Sequence, residues 1–218
     1  MDLLLQNLIN GLAIGSVYSI FAIGFTLMYS VLGILNLAHA AVFTWGSFAG
    51  LFFATALHLP PYIAFPVAMT ASGILAVAID YLVLRPLRTR RADQLAPLIT
   101  TFGAMIVLTS LAQIVTDTQT MRYPPEFLPD RMFYLGWLQI TEIQVIMIVS
   151  SVILTFSLNF FLRRTKFGKA VRAVAISEPV SLLLGIPVNR VIALTNFIAG
   201  ALGGGAGVLI GVAFNAVT

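Results

Sequence analysis

Asn36 and His39 stand three residues apart in "VLGILNLAHA", within a stretch from Leu3 to Ile79 that contains no Asp, Glu, Lys or Arg. An amide and an imidazole in so apolar a setting need a reason. Together with Gly33 they suit a chain break: backbone carbonyls and amides released there must find partners, and both side chains can supply them. Two uses stay open. Asn36 either hydrogen-bonds the end of a neighbouring helix or presents its amide to a polar cavity, and His39 either packs as a neutral interior residue or lines that cavity. His58, beside Pro60 and Pro61, reads as an interfacial loop residue. Covalent and metal chemistry are not expected. The chain has no cysteine and only two histidines, no nucleophile stands near a plausible base, no ligand set has metal spacing, and no cofactor is expected.

Composition says what must position these residues. Apolar residues make up 59% of the 218 and charged residues 9%, with a mean hydropathy of +0.99. This is the balance of an all-α polytopic membrane protein. A span needs about 20 predominantly apolar residues to cross roughly 30 Å of hydrocarbon, so the uncharged stretch is long enough for about three. A signal peptide is not expected, because the first basic residue is Arg85. The net charge of +4 sits in loops between spans and does not point to nucleic acid.

About six spans are expected in a single permease-like domain over 1–218. They run from about Leu3 to Tyr29, Leu37 to Leu57, Tyr62 to Leu84, Leu95 to Thr116, Ile140 to Leu162 and Val191 to Phe214, with a broken or re-entrant segment near residues 30–36. Arg85, Arg88, Arg90 and Arg91 crowd one short loop, and Arg163, Arg164, Lys166, Lys169, Arg172 and Arg190 another. By the positive-inside rule both loops are cytoplasmic and the amino terminus is outside. The loop Asp117 to Gln139 is then external, with Tyr134 and Trp137 as interfacial anchors. Asp80 is the one acid inside an expected span, near its cytoplasmic end. It suits a partner among the arginines, with Arg85 and Arg88 nearest, better than a proton carrier.

Small residues four apart recur at Gly11/Gly15, Gly46/Gly50, Gly200/Gly204, Gly203/Gly207 and Gly207/Gly211. The dense run "GALGGGAGVLIG" predicts one helix face in close contact with a neighbour, in this chain or in a partner. In the basic loop 163–190, "TKFGKAVRAVA" suits a helix lying at the interface. After it Ser177 is a good N-cap, Pro179 fits a first turn and Gly185 a stop, which makes a short helix carrying Leu182, Leu183 and Leu184. Such leucines either dock into a partner or fold back on the bundle or the headgroups.

The chain resembles the permease subunits of branched-chain amino acid ABC importers, the LivH type, nearly from end to end. The resemblance rests on "GSVYSIFAIGFTLMYSVLGILNLAHA", on "DYLVLRPLR" followed by "PLITTFG", and on "RRTKFGKAVRAVA" followed by "LLLGIPVNRVIALTNFIAGALGGGAGVL". It departs at Pro179 and Val180, where importer permeases usually carry a Glu-Ala-Ala-like start, and only Gly185 is kept. Family chains also continue through further apolar segments, so this one is expected to lack their C-terminal part. The resemblance implies a multi-pass permease of a bacterial inner (plasma) membrane, driven by separate ABC ATPase subunits. The chain's nearest approach to a nucleotide-binding loop, "FGKA", lacks the upstream glycine and the Ser/Thr. It further implies a second related permease subunit, an external solute-binding protein and a small-molecule substrate, a branched-chain or related amino acid. On this view 163–190 is the coupling loop, with Pro179, Leu182, Leu183, Leu184 and Gly185 at the ATPase. Gly33, Asn36 and His39 become candidates for the translocation path, and Asp80, Arg85 and Arg88 for a cytoplasmic anchor. A urea or short-amide permease of the same family, an ion-coupled secondary transporter and a plain scaffold are the rival readings.

Overall fold

The computed structural model describes residues 2–89, 95–117, 119–124, 127, 132–135 and 138–217. Arg90, Arg91 and Trp137, named above as loop charges or an anchor, lie outside the described residues. Helix α1 (Asp2–Leu32) runs to the expected break, and α2 (Ala38–Thr55) returns from it. Then come α3 (Pro61–Ile79), a π-helical turn (Asp80–Leu84), α4 (Arg85–Thr89) and α5 (Leu95–Val115). A hairpin of β1 (Met132–Leu135) and β2 (Leu138–Thr141) leads into α6 (Glu142–Arg164), α7 (Lys166–Ile176), α8 (Glu178–Leu183) and α9 (Val188–Phe214).

Five of these segments are long and apolar enough to cross a membrane: Leu4–Leu32, Pro61–Arg88, Leu95–Val115, Glu142–Arg164 and Val188–Phe214. The expected second span is α2, which has 18 residues, includes His39, and falls outside that set. Its lower hydropathy is tolerated because α2 is packed between α3, α5 and α9 and does not meet lipid all round.

The elements differ from the sequence expectation where local chemistry decides. The third span does not stop at Leu84 but continues through Arg88. Pro86 cannot donate to a carbonyl one α-turn back and its ring would clash there. The π turn, in which the Arg85 N–H reaches the Asp80 carbonyl, widens the helix just before it. Ile140 belongs to β2, paired with Phe133, and opens no helix. The fifth helix starts two residues later, because Thr141 and Gln144 form a capping box. The last helix begins at Val188 after Pro187.

Helix α9 is the axis. Val191, Ile192, Leu202, Ala206 and Leu209 join Val17, Ile20, Leu27 and Met147 in the main core, while Val208 and Val212 join Ala64, Ala68 and Leu51 in a second cluster. The glycine run surrounds α9 with close contacts on several sides, where one face was expected. A Cβ on Gly200 or Gly204 would strike α3 at Ala76 or Ser72, one on Gly207 the Phe43 carbonyl of α2, and one on Gly205 would stand 3.0 Å from Met69. Gly46 meets the Gly204 backbone directly, 2.7 Å from its carbonyl oxygen to a Cβ at Gly46. Lipid offers helices no hydrophobic drive to associate, so this contact area is what dispersion and packing must supply. All these contacts lie within the chain. Gly11 and Gly15 have nothing within 4 Å of a would-be Cβ, so the first pair makes no such contact among the described residues.

Candidate functional site

At the break, Gly33 takes a φ of +65° and donates its N–H to the Tyr29 carbonyl at 2.9 Å, which ends α1 in a left-handed turn natural only to glycine. Asn36 is buried. Its Oδ1 accepts from the Ala38 N–H at 3.0 Å and so starts α2, and its Nδ2 points to Met28 Sδ at 3.4 Å. Thr101 of α5 completes the arrangement, its hydroxyl lying 3.4 Å from both the Leu37 N–H and the Leu35 carbonyl. The break is therefore tied off by side chains on two sides.

His39 is 1% exposed. Its ring lies 4.9 Å from that of Phe21 and 6.0 Å from that of Phe25, with the Phe21 backbone beside it. On the far side is Gly203, where a Cβ would come within 2.9 Å of His39 Cε1. Nε2 is buried with no partner among the described residues. Asn36 and His39 thus lie in the interior while Gly33 is exposed at the turn, and none of the three borders the larger grooves.

The anchor residues also meet, with a different division of labour from a simple arginine cluster. Arg88 donates to both Asp80 oxygens at 2.8 and 3.0 Å. Arg85 instead lies over the Tyr81 ring at 4.8 Å. Both bonds come from one guanidinium nitrogen, Nη2, and the pair sits at the end of the bundle that carries the basic loops. Asn196 of α9 stands beside the Asp80 carboxylate, though neither of its amide atoms completes a hydrogen bond among the described residues.

Beyond α6, Thr165 caps α7 by accepting from the Gly168 N–H at 2.9 Å, and Val171 and Val174 turn into the core. Ser177 Oγ accepts from the Val180 N–H at 3.4 Å to start α8. Gly185, at φ +77°, ends it, with Gly185 and Ile186 N–H groups returning to the Leu182 and Ser181 carbonyls at 3.0 Å each. Ser181 is buried, whereas Leu183 is 87% exposed and Val180, Leu182, Leu184 and Ile176 are exposed beside it. The leucines do not fold back on the bundle.

At the opposite end Met121, Tyr123 and Phe127 of the 117–141 loop pack against the helices, a feature that sequence reading missed. Met121 pairs with Val217, Tyr123 N–H donates to Asn215 Oδ1 at 3.0 Å, and the Tyr123 hydroxyl reaches the Ser47 carbonyl of α2 at 2.8 Å. Gly50 and Gly211 leave room for that ring, which stacks on Phe127. Burial pushes the Tyr123 hydroxyl up to about 12. Among the described residues, grooves open on the sides of the bundle, three of which bear on the site. One of about 440 Å³ lies between α3, α6 and α9, lined by Tyr62, Phe65, Ile146 and Val208. The other two flank the seam between α2 and α5. One, of about 430 Å³, is lined by Phe48, Phe52, Phe53 and Val115. The other, of about 300 Å³, is lined by Thr44, Thr109, Gln113, Thr116 and Gln119. Thr109, Gln113 and Thr116 stand at i, i+4 and i+7 in an apolar span, a signal available in the sequence.

This is a helical membrane bundle with a tied-off break, an exposed apolar helix at its basic end, and among the described residues no group of His, Asp and Glu that could hold a metal. Residues 7–218 match the family described as the permease component of branched-chain amino acid transport systems, and the chain belongs to it. It is similar to the high-affinity branched-chain amino acid transport system permease protein BraD of Pseudomonas aeruginosa, at 31% identity over 98% of this chain and 72% of that protein. It is similar also to the corresponding protein LivH of Escherichia coli strain K12, at 29% identity over 95% of this chain and 70% of that one. A probable permease of the same type from Methanocaldococcus jannaschii is 28% identical over 88% of this chain. No solved structure matches. With its long apolar helices, the chain is a multi-pass inner-membrane protein of this transport family.

Proposed function

We propose that the chain is the translocation subunit of an ABC importer for branched-chain or related amino acids, fed by an external binding protein and driven by separate ATPase subunits. The observation that carries the reading is α8. It projects Leu182, Leu183 and Leu184 away from the bundle at its basic end while Ser181 is buried beneath them. A capped, glycine-stopped helix with that exposed face has the form of a docking element. Nucleotide-driven motion of an ATPase would act on α8, pass through α7, whose Val171 and Val174 share a core with α1 and α9, and so reach the spans.

Replacing a docked leucine with glutamate leaves an unpaired ion in the interface. The expected cost is about 3 kcal/mol, roughly a hundredfold in association. Leu183→Glu should insert and fold, fail to retain the ATPase on purification, and lose ATP-driven uptake. Copurification at the wild-type ratio by Leu182→Glu, Leu183→Glu and Leu184→Glu alike would remove α8 as the coupling element. Uptake of leucine and of urea into vesicles holding the assembled transporter, with ATP or with an imposed ion gradient, separates the amino-acid importer from an amide permease and from an ion-coupled carrier.

A further inference from the structure

Resting on that reading, we infer that the solute travels along the polar groove between α2 and α5, over Thr44, Thr109 and Gln113, and not through the break at Asn36 and His39. The break is closed: Asn36 spends its Oδ1 on α2, Thr101 seals the neighbouring turn, and His39 is wedged between Phe21 and Gly203. None of the three grooves described above borders it.

The groove of about 300 Å³ has the opposite character. Thr109 and Thr116 already donate to the carbonyls one turn back, at 2.8 and 3.0 Å, and so keep their oxygen lone pairs for a visitor. The side chains of Thr44, Gln113 and Gln119 make no hydrogen bond among the described residues. Acyl chains cannot serve such groups, so this side of the seam needs water, solute or a polar protein surface against it. In the adjoining groove, which shares Phe48, Ala112 and Thr116 with this one, Phe52, Phe53 and Val115 offer a surface that lipid tails can fill. The Trp45 Nε1–H, at the edge of the apolar groove, donates to the Leu108 carbonyl at 3.0 Å and ties α2 to α5. The contrast orients the chain, with the Phe52, Phe53 and Val115 stretch of the α2–α5 seam toward lipid and the Thr44, Thr109 and Gln113 stretch toward an aqueous path. Uncharged amides and hydroxyls suit a hydrated zwitterion, because they can serve its ammonium and carboxylate groups without holding either tightly. The rival occupant is a polar helix face of the second permease subunit.

The test uses the assembled transporter in proteoliposomes with cysteine-free partners, since this chain itself has no cysteine. Single variants Thr44→Cys and Thr109→Cys are compared with Val107→Cys, which lies at nearly the same depth as Thr109 on an exposed apolar part of α5. A thiol in a wet groove ionises and one in lipid does not. A charged methanethiosulfonate should therefore modify Thr44→Cys and Thr109→Cys at least about tenfold faster than Val107→Cys. Modification should also abolish ATP-driven leucine uptake. Rates equal to that of Val107→Cys would overturn the inference and give the groove to lipid or to the second subunit. Fast modification that leaves uptake intact would overturn it as well, since the groove would then be wet but off the path. Cysteine is close to threonine in volume, and two positions guard against one variant misfolding. If wild-type vesicles take up no leucine, the proposed function falls. If they do and the groove cysteines fail, only this inference falls.

Discussion

Asn36 and Gly204 are the residues whose substitution tells most about the interior. Leucine at 36 removes the acceptor of the Ala38 N–H in a place water does not reach, and an unpaired buried donor costs about 1–3 kcal/mol. Asn159, exposed on α6 with no hydrogen bond among the described residues, has nothing comparable to lose. Asn36→Leu should therefore lower the thermal midpoint in detergent and reduce uptake at matched membrane abundance, while Asn159→Leu leaves both near wild type. Equal behaviour of the two would remove Asn36 from the support of the break. Gly204 has Ser72 on one side and Gly46 on the other, so Gly204→Ala forces α3 or α2 outward at an overpacking cost of about 1–3 kcal/mol. Gly103, with nothing within 4 Å, supplies the comparison: Gly103→Ala should be neutral or stabilising by up to about 1 kcal/mol through helix propensity. Thermal unfolding of the two variants side by side checks both.

The element with the most specific expectation is the distal loop. Tyr123 reaches between α2 and α9 to the Ser47 carbonyl, and its hydroxyl titrates near 12 because burial disfavours the phenolate. The unfolded value is about 10, so the folded state holds the proton more tightly. The stabilisation from this group is complete below about pH 10 and is lost as pH rises from 10 toward 12. Against Tyr123→Phe, which does not titrate there, the wild type should lose about 2–3 kcal/mol of relative stability across that window. Parallel melting curves of the two proteins between pH 10 and 12 would refute the buried placement. Met121 of the same loop pairs with Val217 at this end, and the groove at Thr109 opens beside them.

For the molecule as a whole, the helices alternate so that both basic loops share one end. Gln6 with Gln139, Asn10 with Gln144 and Tyr123 with Asn215 mark the other. With the basic end cytoplasmic by the positive-inside rule, a cysteine at Thr89 or Ser177 should resist an impermeant thiol reagent applied outside, and one at Thr120 should react. The opposite pattern would invert the topology, and with it the assignment of α8 to the ATPase side.

Much of this organisation is local and so legible in the residues alone. The spans follow from hydropathy, the break from Gly33 and Asn36, and α8 from Ser177, Pro179 and Gly185, because each depends on neighbours within a turn or two along the chain. Family membership was legible for the same reason, carried by contiguous blocks such as "NLAH" and "LLLGIPVNR". What only the tertiary structure decided is which groups meet across the sequence. Composition could not tell that Thr101 would seal the break 64 residues away from Leu37, that Arg88 and not Arg85 would take Asp80, or that a loop tyrosine would reach Ser47. The physical reason is that in a bundle without a hydrophobic drive between helices, neighbours are chosen by steric fit. The glycines of α9 set how closely α2 and α3 approach, and that approach buries His39 while it leaves Thr109 and Gln113 facing outward.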